Sequence, residues 1–304
     1  MRRKRIIPFI LIAAVAVVAA VVFAAPASLL EQPSKIKIVR VGVLPDEDEA
    51  ALKLRYSPLL EHMARETGLK YQLVVPASYA DMLRIFADKE LEIAYLGGLT
   101  FVKAQIFHHA RPLVMRDVDT RFTTYFVTRA DGPLRDCESL KCEALAGKVL
   151  SFGSKLSTSG HLMPRHFLKL ERRIEPESYF GEVRYSGAHD KTIYQARDGE
   201  VDLGAVNAEI FRTMRRDGRL KQDDLRIIWE TPPYPDYVWA INGTLTQELR
   251  TRLRDAFLML EMGNKEHARI LAAMGTHGFL PAGTAEFAPL KKIAQSLGLL
   301  KLVK

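Results

Sequence analysis

What most constrains this chain is an alternation that runs along it twice: a short strand-like stretch, a capped helical stretch, then another strand. Residues 36–44 alternate apolar and polar positions and are rich in β-branched residues, which predicts a strand. Ser57-Pro58 then opens a predicted helix that Gly68 ends, with Ser as N-cap and Pro in the first turn. Residues 70–75 make a second strand, and Ser78 caps a helix whose apolar positions are Met82, Leu83, Ile85 and Phe86. Residues 91–96 are apolar enough for a strand buried on both faces, and Gly97-Gly98 turns into a helix through Phe101, Ala104 and Phe107. This order predicts a parallel sheet covered by helices on both faces.

The alternation then restarts. Strands are expected at 121–129, 148–152, 183–185, 201–206, 225–229 and 237–241, with helices around 161–171, 189–197 and through Phe211 and Met214. Three helical segments, near 246–260, 265–273 and 284–297, finish the chain. The reading is two α/β lobes. Residues 28–128 with 232–304 form the first, and 129–231 form a second inserted into it, joined by extended segments near 121–129 and 232–241. Sites in open α/β sheets lie at the carboxyl ends of strands, so two such edges facing each other make a hinged cleft.

Composition narrows the class. At 48% hydrophobic and 26% charged residues, the 304-residue chain is a globular mixture, not a disordered or coiled-coil one. Two cysteines exclude a disulfide-dense scaffold and a four-Cys zinc module. The net charge is +8, but four positives sit at residues 2–5, leaving +4 scattered over the remainder. With no basic run interleaved with aromatics, nucleic acid is not an expected partner.

Residues 2–5 are basic, residues 6–25 carry no charge, and Ala25-Pro26-Ala27 offers a small-residue cleavage site. Residues 1–27 therefore read as an export signal into the periplasm. The apolar stretch is also long enough for an uncleaved anchor in the inner membrane. For an exported chain, Cys137 and Cys142 are either a small loop disulfide or two unpaired thiols.

The loop Phe152-Gly-Ser-Lys-Leu-Ser-Thr-Ser-Gly-His161 carries the chemistry. It leaves a strand and opens a helix, so the hydroxyls of Ser157, Thr158 and Ser159 stand at a helix N-terminus. Neutral donors with partial positive charge suit a small tetrahedral oxyanion. Ser78-Tyr79, Gly97-Gly98-Leu99-Thr100 and Gly187-Ala188-His189-Asp190 occupy corresponding strand ends. Two acids join them: Glu209 at a strand-to-helix junction and Asp236 after Pro232-Pro233-Tyr234-Pro235. Either could pair with a ligand amine or accept from a P–OH group, which sulfate lacks. No metal site is expected, since His161 and His166 are five apart and His108-His109 diverge on a helix. A Ser157–His189 hydrolase dyad can be drawn, without a GxSxG elbow to support it.

These segments resemble the phosphate/phosphite/phosphonate-binding family of periplasmic solute-binding proteins that serve ABC importers. The resemblance is carried by Tyr79-Ala-Asp81, Glu92-Ile-Ala-Tyr-Leu-Gly-Gly98, Ser157-Thr-Ser-Gly160 with Pro164, Gly187-Ala-His-Asp190, Val201-Asp-Leu-Gly204, and Ile228-Trp229 with the Pro-rich segment. It spans roughly residues 39–241. It implies a type II periplasmic-binding fold closing on its ligand, with no cofactor and no catalysis, and an ABC permease as partner. It also implies that Tyr79, Ser157, Thr158, Ser159 and His189 hold the phosphonyl oxygens. Glu209 and Asp236 fall where aminoalkylphosphonate binders of the family place acids for the amine. Tyr95 is carried over as a further contact. The sequence departs from the family at the next residue, where Leu96 takes the place of an aromatic donor.

Overall fold

The computed structural model describes residue 36 and residues 38–301. The predicted signal or anchor at 1–27 lies outside the described residues. Among them, no helix is long and apolar enough to cross a membrane.

The chain builds two mixed sheets in turn. Strands β1 (Ile38–Val43), β2 (Lys70–Val74), β3 (Ile93–Leu96) and β4 (Arg111–Arg116) come first. The chain then crosses to β5 (Thr124–Arg129), β6 (Val149–Phe152), β7 (Glu182–Tyr185), β8 (Leu203–Asn207) and β9 (Leu225–Glu230). It returns to add β10 (Val238–Ile241) and β11 (Phe279–Pro281). The first sheet has the order β11-β4-β10-β3-β1-β2 and the second β7-β6-β8-β5-β9. Only the βαβ cores are parallel, as predicted: β2-β1-β3 in one sheet and β7-β6-β8 in the other. β10 and β5 enter their sheets from a crossing, and each runs antiparallel to both of its neighbours.

Three local expectations are corrected. The first helix is Glu49–Thr67, capped by Asp48, whose side chain accepts from the Ala51 amide at 2.9 Å; Pro58 lies inside it. An Asp cap nine residues upstream outcompetes Ser57, and the helix loses one hydrogen bond at Pro58. Gly68 ends it as predicted, at φ 64°. Residues 124–129, read as part of a crossing, pair inside the second sheet with β8 and β9. The crossings are the stretches 117–123 and 231–237, which run side by side through Phe122 and Tyr234, amide to carbonyl in both directions at 2.8 and 3.0 Å. The buried Arg116–Asp119 pair, at 2.6 and 2.9 Å, anchors the first crossing to the end of β4.

Each sheet is buried on both sides. On β5, Tyr125 and Val127 face a core with Ile193, Phe211 and Met214, while Phe126 faces another with Leu150, Phe152 and Leu168. That is the period-two alternation of a strand covered on both faces. The cysteines are bonded to each other with their Cα atoms 5.6 Å apart. They close the loop between β5 and β6 and pack against the second of these cores.

Candidate functional site

The loop after β6 folds as the sequence implies. Ser157 is extended, and its hydroxyl accepts from the Gly160 amide at 3.0 Å. The chain then makes one π turn, Thr158–Leu162, and continues as the α-helix Met163–Arg172. Gly160 is required by close packing. A Cβ there would stand 2.8 Å from the His189 ring and 3.0 Å from the Ser157 hydroxyl. Ser157, Thr158 and Ser159 are all buried. The Ser159 hydroxyl has no hydrogen-bond partner among the described residues.

His189 opens the helix His189–Arg197 and is completely buried. Burial drives its pKa down to about 3, so it is neutral at physiological pH. The Asn207 amide donates to its Nδ1 at 3.3 Å, which leaves the proton on Nε2, 3.3 Å from the Ser157 hydroxyl oxygen. This tautomer follows from the network. Ser157 thus accepts from Gly160 and from His189, and its own proton is free to point elsewhere. The pair is 3.3 Å apart, as a hydrolase dyad would be. The polarity is reversed, because Nε2 already holds its proton and cannot take the one on Ser157.

The first sheet supplies the opposing wall. Thr158 reaches across to it, accepting from the Leu99 amide at 2.9 Å, and its hydroxyl stands close enough to Asp236 to favour the charged carboxylate. Asp236 is completely buried. Its Oδ1 accepts from the Gly98 amide at 2.9 Å, at the start of helix Gly98–His108, while Oδ2 has no partner among the described residues. Burial pushes Asp236 up to about 7, and the charges of Asp119 and Asp46 add to the shift. Gly97 keeps this approach open, since a Cβ would crowd Thr158 and Asp236 at 3.3 and 3.4 Å.

Asp46 and Tyr237 were not singled out from sequence. Asp46 follows β1, and its carboxylate accepts from the hydroxyls of Tyr79 and, at 2.8 Å, of Tyr237. Its carbonyl accepts from the His189 amide at 3.0 Å, so Asp46 links the two sheets. Burial pushes its carboxyl up to about 7, although both tyrosines favour the charged form. Asn207 donates its side-chain amide to the Tyr237 hydroxyl at 3.1 Å, again across the cleft. The signal for Asp46 was its position: it ends a parallel strand, as the chosen loops do. Tyr237 adjoins Asp236 in the second crossing.

The structure therefore brings Tyr79, Ser157, Thr158, His189 and Asp236 into one network, with Ser159 beside them in the loop. Tyr95 and Glu209 stand apart from it. The Tyr95 hydroxyl donates to Asp119 at 3.1 Å, and its ring stacks on Tyr237 at 5.0 Å. Glu209 pairs with Arg212 on the first turn of helix Ala208–Arg216. Both line a cavity of about 30 Å³ that also touches Asp46, Asn207 and Tyr237. Beyond Tyr79, a groove of about 670 Å³, lined also by Ser78, Lys155 and Tyr185, opens at the surface. Among the described residues, no cluster of three His, Cys, Asp or Glu could hold a metal ion.

The family model described as "ABC transporter, phosphonate, periplasmic substrate-binding protein" matches residues 41–287. A probable ABC transporter phosphite-binding protein, PhnD1 of Prochlorococcus marinus (strain MIT 9301), is 27% identical over 271 residues, covering 87% of this chain and 91% of that protein. The phosphate-import protein PhnD of Mycolicibacterium smegmatis is 26% identical over 232 residues, covering 72% of this chain and 70% of that protein. The solved structure of PhnD1 in complex with methylphosphonate matches with a TM-score of 0.80 at 25% identity, covering 86% of this chain and 99% of that one.

Proposed function

The chain belongs to the periplasmic substrate-binding proteins of phosphonate ABC transporters, and from that premise we propose that it captures a small phosphorus oxyanion between its two sheets and delivers it to an importer's permease. Residues 1–27 direct the export this role needs. The two sheets act as lobes moving about the paired crossings. Ser157, Thr158, Ser159, Tyr79 and His189 hold the anion, and Asp236 reads a proton on it.

One observation carries this reading: a buried carboxyl with an unpartnered oxygen stands in a network of neutral donors. An ionised acid in such a place repels a fully deprotonated anion and accepts from a P–OH group. The site thus favours hydrogen phosphite, methylphosphonate monoanion or hydrogen phosphate over sulfate. An aminoalkyl substituent is less well served. Glu209 is already paired with Arg212, and the cavity beside it, about 30 Å³, is no larger than the space of one or two waters.

Closure supplies affinity. Charge-assisted hydrogen bonds contribute about 1.5–3 kcal/mol each, and a micromolar Kd needs only about 8 kcal/mol. Four or five such contacts suffice after the cost of closing. A thermal-shift panel with phosphite, phosphate, methylphosphonate, 2-aminoethylphosphonate and sulfate tests the reading, because ligand binding to the native state raises the midpoint. A rise with one or more of the first three and none with sulfate is expected. No rise with any phosphorus compound would refute it.

A further inference from the structure

The Tyr79 hydroxyl has one proton and two claimants. In this structure it donates to Asp46, while it lies within reach of Ser157 in the wall that receives the anion. A phenol donates one hydrogen bond at a time. When Tyr79 turns its proton to an anion oxygen, an ionised Asp46 is left facing the phenol's lone pairs, buried and deprived of one partner. An unsatisfied buried charge is costly. A proton on Asp46 resolves the conflict, because the neutral acid can donate to the Tyr79 oxygen.

We propose that Asp46 is a further positioning residue of the anion site, which takes up a proton from solvent when the anion claims the Tyr79 hydroxyl. No covalent bond other than the O–H of Asp46 forms. The result is a chain of donors running from Asp46 to Tyr79 to the anion, and a site whose charge changes by one on binding.

The surroundings fit this role. Tyr79 and Tyr237 face the carboxyl directly. Glu47, the next residue, raises its proton affinity, and Arg55 on helix Glu49–Thr67 opposes it. Glu47 is itself flanked by Arg55 and Arg219. Asp236 is near enough for the two acids to feel each other's charge. His189, whose amide donates to the Asp46 carbonyl, carries no charge above about pH 3. Burial already places Asp46 near pH 7 before any anion arrives, so the uptake falls in an accessible range.

The inference rests on the proposed function, and the test separates the two. Calorimetric titration of the full chain at pH 8, in two buffers of different ionisation heat, counts protons taken up per anion bound. The probe is whichever of phosphite, phosphate and methylphosphonate binds tightest. The parent protein should take up about one proton more than Asp46→Asn, whose amide permanently mimics the neutral acid. Between pH 7 and 9 the parent's affinity should fall relative to that variant by up to about tenfold per pH unit. Equal proton counts would overturn the proposal while leaving the binding function intact; no binding of any probe would overturn both. Tyr79→Phe removes the contested hydroxyl and should lose the same proton, which keeps the test decisive if Asp46→Asn does not fold.

Discussion

The two walls of the cleft meet with opposite chemistry. The loop after β6 and the start of helix His189–Arg197 offer uncharged donors: Ser157, Thr158, Ser159 and a histidine that burial holds neutral. The loops and crossing of the first sheet offer buried carboxyls, Asp46 and Asp236, both pushed up to about 7 by burial and both engaged by phenol or amide donors. A cleft of donors alone would serve any tetrahedral oxyanion. Acids on the opposing wall require that the anion, or the acid, carry a proton. On the proposed function, capture uses the donors of the second wall together with Tyr79 of the first, and discrimination rests on the acids.

The largest effect should come from the residue that touches both walls. Thr158→Val keeps the side chain's shape but removes the hydroxyl that accepts from the Leu99 amide and is proposed to contact the anion. Losing one charge-assisted bond to the anion, about 1.5–3 kcal/mol, should lower affinity about ten- to a hundredfold by calorimetry. A loss below threefold would remove this loop from the site.

Asp236→Asn tests the acidic wall. Affinity for the phosphorus ligand should fall about tenfold, while sulfate, no longer facing a carboxylate, should gain. The ratio of the two dissociation constants is the measurement; an unchanged ratio would place discrimination elsewhere. Next comes Arg219, which reaches from the second lobe to the buried Glu47 at 2.8 Å. It touches no group of the anion network. Arg219→Ala should weaken binding by about three- to tenfold, through faster release in stopped-flow. A change confined to the on-rate would mean that Arg219 steers the ligand and does not latch the closed form.

The smallest effect is on stability against pH. Asp46 and Asp236 are raised from 3.8 to about 7, so the folded protein binds more protons than the unfolded chain between those values. Their contribution is complete below about pH 4 and is lost as pH rises to 7. His189, lowered from 6.5 to about 3, acts oppositely, and its contribution is lost as pH falls through that window. Asp236→Asn should therefore melt relatively higher as pH rises from 4 to 8, by a few degrees. A difference that shrinks over that range would contradict the burial account.

Much of this was legible in the sequence because it depends on local patterns. Ser78 caps its helix by accepting from the Asp81 amide at 3.0 Å, Gly68 ends its helix in the left-handed conformation that glycine favours, and Gly160 sits where a Cβ would clash. What escaped depends on neighbours distant along the chain. β4 pairs with β10 on one side and β11 on the other, and the short runs of β4 and β11 carry no distinctive alternation. Asp46 follows Leu44-Pro45 and looks like a turn acid until Tyr79 and Tyr237, 33 and 191 residues away, are seen to close on it. Tyr95, chosen for its place beside Leu96, is claimed by Asp119 through a contact its own motif does not reveal.

The account's central claim is that the acidic wall makes a neutral-donor site read a proton on its ligand. Parallel calorimetric titrations of the parent protein with phosphite and with sulfate at pH 7 test it most directly. Micromolar or tighter binding of phosphite, with sulfate at least tenfold weaker, is the predicted result. Comparable affinities for the two would show that the donors act alone, and would contradict the account.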